Sequence, residues 1–238
     1  MSEIATRQQT IQHLAQQLRQ VERTRHKPGT GRESLSTGIT GLDRLLPERG
    51  LLPGTLVEWL SAGNGSGAGT LAFKVAAEML PDNANCVVID PRETFFPAAS
   101  RLDRVIVVHP ADERETLWVW EQSLRCSGVA VVIGWIDRLP NQVYRRLKLA
   151  AETGGAMGFL LRPAAHRSQP SWADVRFQVE SLPTKELDAG RRLTVELLHC
   201  RGRAGGGILK LDIDDETGDV RVVPELAAAT HSVCSAGA

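Results

Sequence analysis

The sequence predicts an α/β fold in which a mainly parallel central sheet is covered by helices on both faces. Between residues 56 and 161, short and continuously apolar segments alternate with segments whose apolar residues recur every three or four positions. Parallel strands that are buried on both faces give the first pattern, and the helices that connect them give the second. After residue 174 the apolar residues alternate singly with polar ones, as in Val175, Phe177 and Val179, which predicts an antiparallel extension of half-exposed strands.

The predicted elements follow one another closely along the chain. Strands are predicted at 56–60, 86–90, 105–108, 129–133 and 158–161, with helices at 71–80, 112–126 and 141–153. The second helix has the clearest pattern, because Leu117, Trp120 and Leu124 recur at steps of three and four. The three strands of the extension are predicted around Val175–Val179, Leu193–Leu197 and Leu209–Ile213.

Composition and charge exclude several classes of protein. The 238 residues include 28 Lys and Arg and 28 Asp and Glu, so the net charge is +0, and nucleic acid is not predicted as the main ligand. The four cysteines lie far apart, which predicts neither disulfides nor a metal site. The polar amino terminus and the lack of a long apolar run predict a cytoplasmic protein that does not enter a membrane.

The sequence divides into four parts. Residues 1–27 are predicted to form an amphipathic amino-terminal helix, followed by a linker at 28–34, a core at 35–224 and a disordered tail at 225–238. The helix carries a narrow apolar stripe that either packs on the core or docks on a partner or a second subunit. The stripe residues proposed for partner docking are Ile11, Leu14, Leu18 and Val21.

A glycine-rich loop follows the first predicted strand, which is the position of a phosphate-binding loop. Its candidate nucleotide-binding residues are Gly63, Gly65, Ser66, Gly67, Ala68, Gly69 and Thr70. A working loop reads G-x-x-x-x-G-K-[ST], in which the lysine reaches the phosphates and the hydroxyl holds Mg²⁺. Here Ala68 and Gly69 replace those two residues, and Thr70 comes one position too late. The loop is therefore predicted to be a degenerate P-loop without a catalytic residue or a bound cofactor.

The fourth predicted strand lacks the second group that ATP hydrolysis needs. A Walker-B strand ends in an aspartate that organises Mg²⁺, whereas this strand ends in Gly134 and Trp135, and Asp137 beyond it is interpreted as a turn or helix-cap residue. A rival interpretation is a dinucleotide site, because the glycine-rich loop also fits G-x-G-x-x-A and Asp90 ends the next strand.

The segment before the loop carries a resemblance to a known family. Residues 35–58, LSTGITGLDRLLPERGLLPGTLVE, resemble the segment that leads into the P-loop of RecA-family ATPases, and residues 66–71 resemble the RecA loop itself. The resemblance implies a RecA-like P-loop core over residues 35–215. Within this superfamily the chain is most similar to the ImuA family, RecA-like and SulA-like accessory proteins of the translesion-synthesis cassette. That similarity implies a non-catalytic role in SOS-induced mutagenesis, with an ImuB-like Y-family polymerase homologue, an error-prone C-family polymerase and RecA as the expected partners.

The chain departs from RecA in the regions that bind DNA and activate water. Arg92 stands where RecA has its catalytic acid, Glu93 is one residue away, and the loops after the fourth and fifth strands are short. Weak contact with DNA phosphates is assigned to Arg162, Arg167, Arg201 and Arg203. Two alternatives stay open: a RecA-type ATPase that uses Thr70 and Glu93 as displaced substitutes, and a SulA-like inhibitor of cell division.

Overall fold

A computed structural model describes residues 33–63, 65–95, 104–183, 190–202, 205–214 and 217–223. The predicted amino-terminal helix with its apolar stripe, most of the linker and the predicted tail lie outside these ranges.

The described residues form one nine-stranded sheet with helices on both faces. The strands are β1 Leu56–Ser61, β2 Asn85–Ile89, β3 Val105–Val108, β4 Val129–Trp135, β5 Met157–Pro163, β6 Val175–Leu182, β7 Arg191–Cys200, β8 Ile208–Ile213 and β9 Val220–Val222. The helices are α1 Thr40–Leu45, α2 Ala68–Glu78, α3 Glu113–Arg125 and α4 Asn141–Gly154, and a short 3₁₀ turn covers Ala164–His166. Within the described ranges, none of the helices combines the length and the apolar character that crossing a membrane would require.

The strand order is β3-β2-β4-β5-β1-β6-β7-β8-β9, with parallel pairing from β3 through β6. The mainly parallel sheet predicted from the apolar runs is therefore confirmed. The antiparallel extension begins one strand later than predicted, because β6 pairs with β1 in parallel and only β7, β8 and β9 run antiparallel to their neighbours.

The prediction that β6 is half-exposed is also wrong. Arg176 and Gln178, which occupy its polar positions, are both buried. The physical reason is that β6 lies inside the sheet beside β1, where Arg176 pairs with a carboxylate of that strand and needs no water to satisfy its charge.

The segment before β1 is organised around Asp43. Its carboxylate accepts the Thr37 N–H at 2.9 Å, the Thr37 hydroxyl at 2.7 Å and the Ser36 hydroxyl at 2.6 Å. These bonds hold the start of α1 against the preceding turn, much as a side chain caps a helix. Two backbone hydrogen bonds of 2.8 Å and 2.9 Å between Leu35 and Leu51 then join the two ends of the segment. The Ser-Thr-Gly and Leu-Asp residues of the family pattern thus have a structural role here.

The two faces of the sheet bury separate cores. Alternate residues of each strand point to opposite faces, so Val57 and Trp59 pack on the side of α2 while Leu56 packs on the side of α3 and α4. Trp59 lies against Phe159 and Phe177, with ring centroids 5.8 Å and 4.9 Å away. Helices on both faces were predicted from the sequence, and the structure confirms them.

Candidate functional site at the carboxyl edge of the sheet

The glycine-rich loop lies at the carboxyl end of β1 and leads directly into α2. Parallel strands end at a common edge, and open α/β sheets bind ligands there. Gly65 and Gly67 have φ angles of 75° and 81°, in the left-handed region that glycine adopts without strain. Gly67 is the residue immediately before α2, so the loop sits at a helix amino terminus as predicted.

Hydrogen bonds within the loop use groups that a phosphate-binding loop would direct at an anion. The Ser61 hydroxyl donates to the Gly63 carbonyl at 2.6 Å. The Ser66 hydroxyl lies 2.8 Å from the Ser61 hydroxyl. The Ser66 hydroxyl in turn accepts the Ala68 N–H at 3.3 Å, while the Ser66 N–H donates to the Gly63 carbonyl at 3.2 Å. The loop is therefore folded onto itself, and a serine side chain occupies the first amide of the helix.

The two positions at which the P-loop pattern has lysine and a hydroxyl residue differ here in their surroundings. Ala68 is buried and belongs to the core on the α2 side. A side chain added at Gly69 would meet no atom within 4 Å. The hydroxyl of Thr70 accepts a bond of 3.2 Å from Arg191 on β7, a cation that the sequence did not place at the loop.

At Gly134, the residue before the end of β4, the sheet has no space for a side chain. A Cβ atom built at Gly134 would lie 2.4 Å from the Ile89 carbonyl oxygen of β2. The next residue, Trp135, joins an aromatic group with Phe73 and Phe95, in which the Phe73 centroid lies 6.0 Å and 4.8 Å from the other two. Aromatic side chains therefore occupy the edge of the sheet where this strand ends.

The acids near this edge are engaged with neighbouring residues. Asp90 is buried, and its carboxylate accepts the Phe95 N–H at 2.6 Å, so it closes its own turn. Asp137 pairs with Arg92 at 2.5 Å across the ends of β2 and β4. Asp137 does not cap α4, because Pro140 is the residue before the helix, but it lies in a bend, in agreement with the turn alternative of the prediction.

A buried charge cluster lies just below the edge, on the face covered by α4. The carboxylate of Glu58 accepts hydrogen bonds of 2.5 Å from Arg162 on β5 and 2.5 Å from Arg176 on β6. The exposed fractions of Glu58, Arg162 and Arg176 are only 0%, 4% and 8%. Burial alone would raise the pKa of Glu58, but the hydrogen bond from Arg162 and the charges of both arginines hold that pKa below its ordinary value.

The buried charge cluster shows that one predicted DNA contact is wrong, and it also binds the loop between β5 and β6. Arg162 cannot reach a phosphate in solution because it is buried against Glu58. Arg176 also donates to three backbone carbonyls of the loop between β5 and β6, those of His166, Arg167 and Gln169, at 2.9 Å, 3.2 Å and 3.3 Å. The Glu58 carboxylate therefore holds that loop in place through Arg176.

The other predicted DNA contacts are accounted for in part. Arg167 is partly exposed and bonds Gln178 at 2.7 Å and Glu196 at 2.9 Å. Arg201 lies 3.4 Å from Asp174 and 3.7 Å from a second acid. Arg203 lies outside the described residues. The two described arginines that reach the surface are thus already paired with acids, which weakens their attraction for phosphate.

Comparison with known proteins shows which proteins this chain is similar to. No family model matches the chain. Protein RecA of Rhodospirillum rubrum is 34% identical over 131 residues, or 53% of this chain and 34% of that protein. Cell division inhibitor SulA of Klebsiella aerogenes is 41% identical over 70 residues, or 29% of this chain and 41% of SulA. The chain is therefore a RecA-related α/β protein.

Within that class the chain is similar to Protein ImuA of Caulobacter vibrioides, with 34% identity over 162 residues, which is 60% of this chain and 63% of ImuA. The resemblance to ImuA predicted from the sequence is confirmed. The chain spans between 34% and 63% of the length of these three relatives.

Proposed function

We propose that this chain is a non-catalytic, RecA-related accessory protein of the DNA damage response that acts in translesion synthesis and mutagenesis. The similarity to ImuA, RecA and SulA supports the damage-response setting. The observation that carries the non-catalytic part is the close approach of β2 and β4 at Gly134, which leaves no space for a metal-binding aspartate.

On this proposal the glycine-rich loop is a degenerate P-loop. Phosphoryl transfer depends on a lysine that neutralises the phosphates and on a hydroxyl and an aspartate that hold Mg²⁺. Ala68 and Gly69 stand at the first two positions and Gly134 at the third. Arg191 brings a positive charge to the loop, but its bond to Thr70 directs it to a side-chain hydroxyl. Transition-state charge would stay unneutralised at all three positions.

A chain without catalysis must act through what it binds. The resemblance to the ImuA family implies cytoplasmic protein partners, and we propose an ImuB-like Y-family polymerase homologue and an error-prone C-family polymerase, with RecA as a third candidate. The balanced net charge of +0 favours proteins over nucleic acid as the principal ligand.

Measurement of phosphate release tests the proposal. Purified full chain should release no phosphate from ATP above a protein-free blank, with or without single-stranded DNA, while RecA serves as the positive control. DNA-stimulated release that disappears in Thr70→Ala or Glu93→Gln would establish instead a RecA-type ATPase with displaced catalytic groups.

Inhibition of cell division is a second candidate, favoured by the identity of 41% to SulA over 70 residues. Controlled expression in dividing cells distinguishes the two proposals. An inhibitor would produce long undivided filaments, whereas an accessory protein of mutagenesis would leave cell length unchanged and alter the frequency of damage-induced mutations.

A further inference from the structure

Three large apolar side chains are exposed on the face of the molecule formed by α3 and α4. The exposed fractions of Trp118, Leu149 and Trp172 are 60%, 49% and 47%. Trp118 points away from the sheet, because the buried residues of α3, among them Val119 and Trp120, lie on the opposite side of the helix. Single exposed apolar residues are ordinary, but Trp is one of the residue types that most often contribute the binding energy of protein interfaces.

The two helices present one continuous surface. Glu121 of α3 accepts a 3.1 Å bond from Arg125 of its own helix and a bond from Arg146 of α4, which ties the two outer surfaces together. On α4, the guanidinium of Arg145 lies 5.9 Å from the ring of Trp172 and brings that side chain to the same surface. We call this surface the outer helix face, and its residues are Arg114, Trp118, Arg125, Arg145, Arg146, Leu149 and Trp172.

The outer helix face carries more arginine than acid. Arginines 114, 125, 145 and 146 project from it, and Glu121, which two of them share, is the acid bonded among them. Two further acids share this side of the helices, because Glu115 lies three residues from Trp118 and Glu152 lies three residues from Leu149. Both are engaged: Glu115 accepts the Ala111 N–H at the start of α3, and Glu152 pairs with Lys148. Glu113 lies on the side of α3 that carries Thr116, three residues further along.

The charge and composition decide between possible occupants. A second copy of this chain would bring the same excess of arginine, and residues 1–27 carry five Lys and Arg against two Glu, so neither offers this face a complementary charge. Tryptophan and arginine are the side chains that most often anchor protein interfaces. Leu149 offers a nucleobase no stacking surface, and the Arg145 guanidinium already lies against Trp172.

We propose that the outer helix face docks an acidic, amphipathic segment of a protein partner. Trp118 and Leu149 supply the apolar anchors, and the arginines around them pair with the acids of the segment. This inference rests on the proposed function, because a docking surface is what a non-catalytic accessory protein needs.

Fluorescence anisotropy with designed peptides tests the docking surface itself. The probe is a labelled helical peptide of about five turns, with leucine on one face and glutamate elsewhere. A matched peptide with lysine in place of glutamate and an oligothymidylate serve as the competing ligands. The full chain should bind the glutamate peptide at least about tenfold more tightly than either competitor, a difference of about 1.4 kcal/mol.

Variants locate the binding on the proposed surface. Trp118→Ala and Leu149→Ala should each weaken the glutamate peptide at least about tenfold, while Ile208→Ala, an exposed apolar residue of β8 at the far side of the sheet, should leave it unchanged. Equal binding by all three variants, or absence of binding by the unaltered chain, overturns the inference. Tighter binding of the oligothymidylate through the same two residues would also overturn it, because the surface would then be one for nucleic acid.

The same variants separate this inference from the proposed function. Complex formation between the unaltered chain and a purified ImuB-like polymerase homologue tests the function alone. If that complex forms and Trp118→Ala leaves it intact, the polymerase homologue binds elsewhere and the outer helix face is not its docking site. If no complex forms while the glutamate peptide binds as expected, the outer helix face is a docking surface but the polymerase homologue is not its partner.

Discussion

Replacing Glu58 of β1 with glutamine would remove the negative charge of the carboxylate to which two buried arginines are bonded. The substitution keeps the size of the side chain and one carbonyl acceptor, so it isolates the loss of charge. Arg162 and Arg176 would then hold positive charges at positions that are almost fully buried. A buried cation without a counter-charge is strongly destabilising, because the protein interior solvates charge poorly.

The expected loss is a large share of the stability of a domain of this size. Breaking a buried ion pair by removing one partner costs about 3–5 kcal/mol, against a total of about 5–15 kcal/mol. For a chain of this length each kcal/mol lowers the melting temperature by about 2–4 °C, so Glu58→Gln should melt about 6–20 °C below the unaltered protein. Glu196→Gln is the matched control, because it breaks the more exposed pair with Arg167 and should cost less than about 1 kcal/mol.

The pH dependence gives a second readout with a defined sign. The arginines hold the pKa of Glu58 below its ordinary value, so the folded protein keeps this carboxylate ionised more readily than the unfolded chain. Its contribution to stability is therefore present above the ordinary pKa of about 4.3 and is lost as the pH falls through the lowered value. Differential scanning calorimetry should show the gap between the two proteins narrowing below about pH 4. A melting temperature within the range of the Glu196→Gln control, or a gap that does not change with pH, would refute the reasoning.

Three further predictions concern the loop, DNA and the amino terminus. Ala68→Lys with Gly69→Thr should raise affinity for a fluorescent ATP analogue yet leave phosphate release low, because Gly134 still supplies no metal ligand; turnover at the rate of RecA would contradict this. Binding of single-stranded DNA, followed by anisotropy, should be weak, independent of sequence and steeply reduced by salt, and nanomolar binding that persists at high salt would reveal a dedicated site. Deletion of residues 1–27 should leave the melting temperature nearly unchanged while abolishing partner capture or self-association, and a loss of several degrees would assign that segment to the core.

The sequence predicted best the elements whose pattern is local, although β3 is not buried on both faces as its apolar run predicted, because it lies at the edge of the sheet and exposes Ile106 and Val107. Residues 105–108 were predicted as a strand and form β3, and the helix predicted at 112–126 is Glu113–Arg125. The strand is a run of four apolar residues and the helix repeats its apolar residues every three or four positions, so both patterns depend only on nearby residues. The position of the glycine-rich loop between a strand and a helix amino terminus was predicted for the same reason.

The errors share a cause, which is that polar residues were assumed to face water. Arg176 lies 118 residues from the carboxylate it bonds, and Arg162 lies 104 residues from the same one. An alternation such as Arg176 and Gln178 therefore looks like a solvated face until the partner strand is known. The bond between Arg191 and Thr70 spans 121 residues and was missed for the same reason. Partners at such separations leave no local signal, and the buried Glu58 is the residue whose isolated charge in an apolar strand could have suggested them.

The contact between Gly134 and the carbonyl of Ile89 has a consequence for the history of this chain. If an ancestor held an aspartate there, its replacement by glycine allowed two backbones to close together to a distance that no side chain tolerates. Reinstating the aspartate alone would now force β2 and β4 apart in the centre of a packed sheet. A carboxylate could therefore not be added at residue 134 by one substitution, because the two strands would have to separate first. If the proposed function holds, this packing would make a return to ATP hydrolysis by single substitutions difficult, and later change would be confined to the surfaces of the protein.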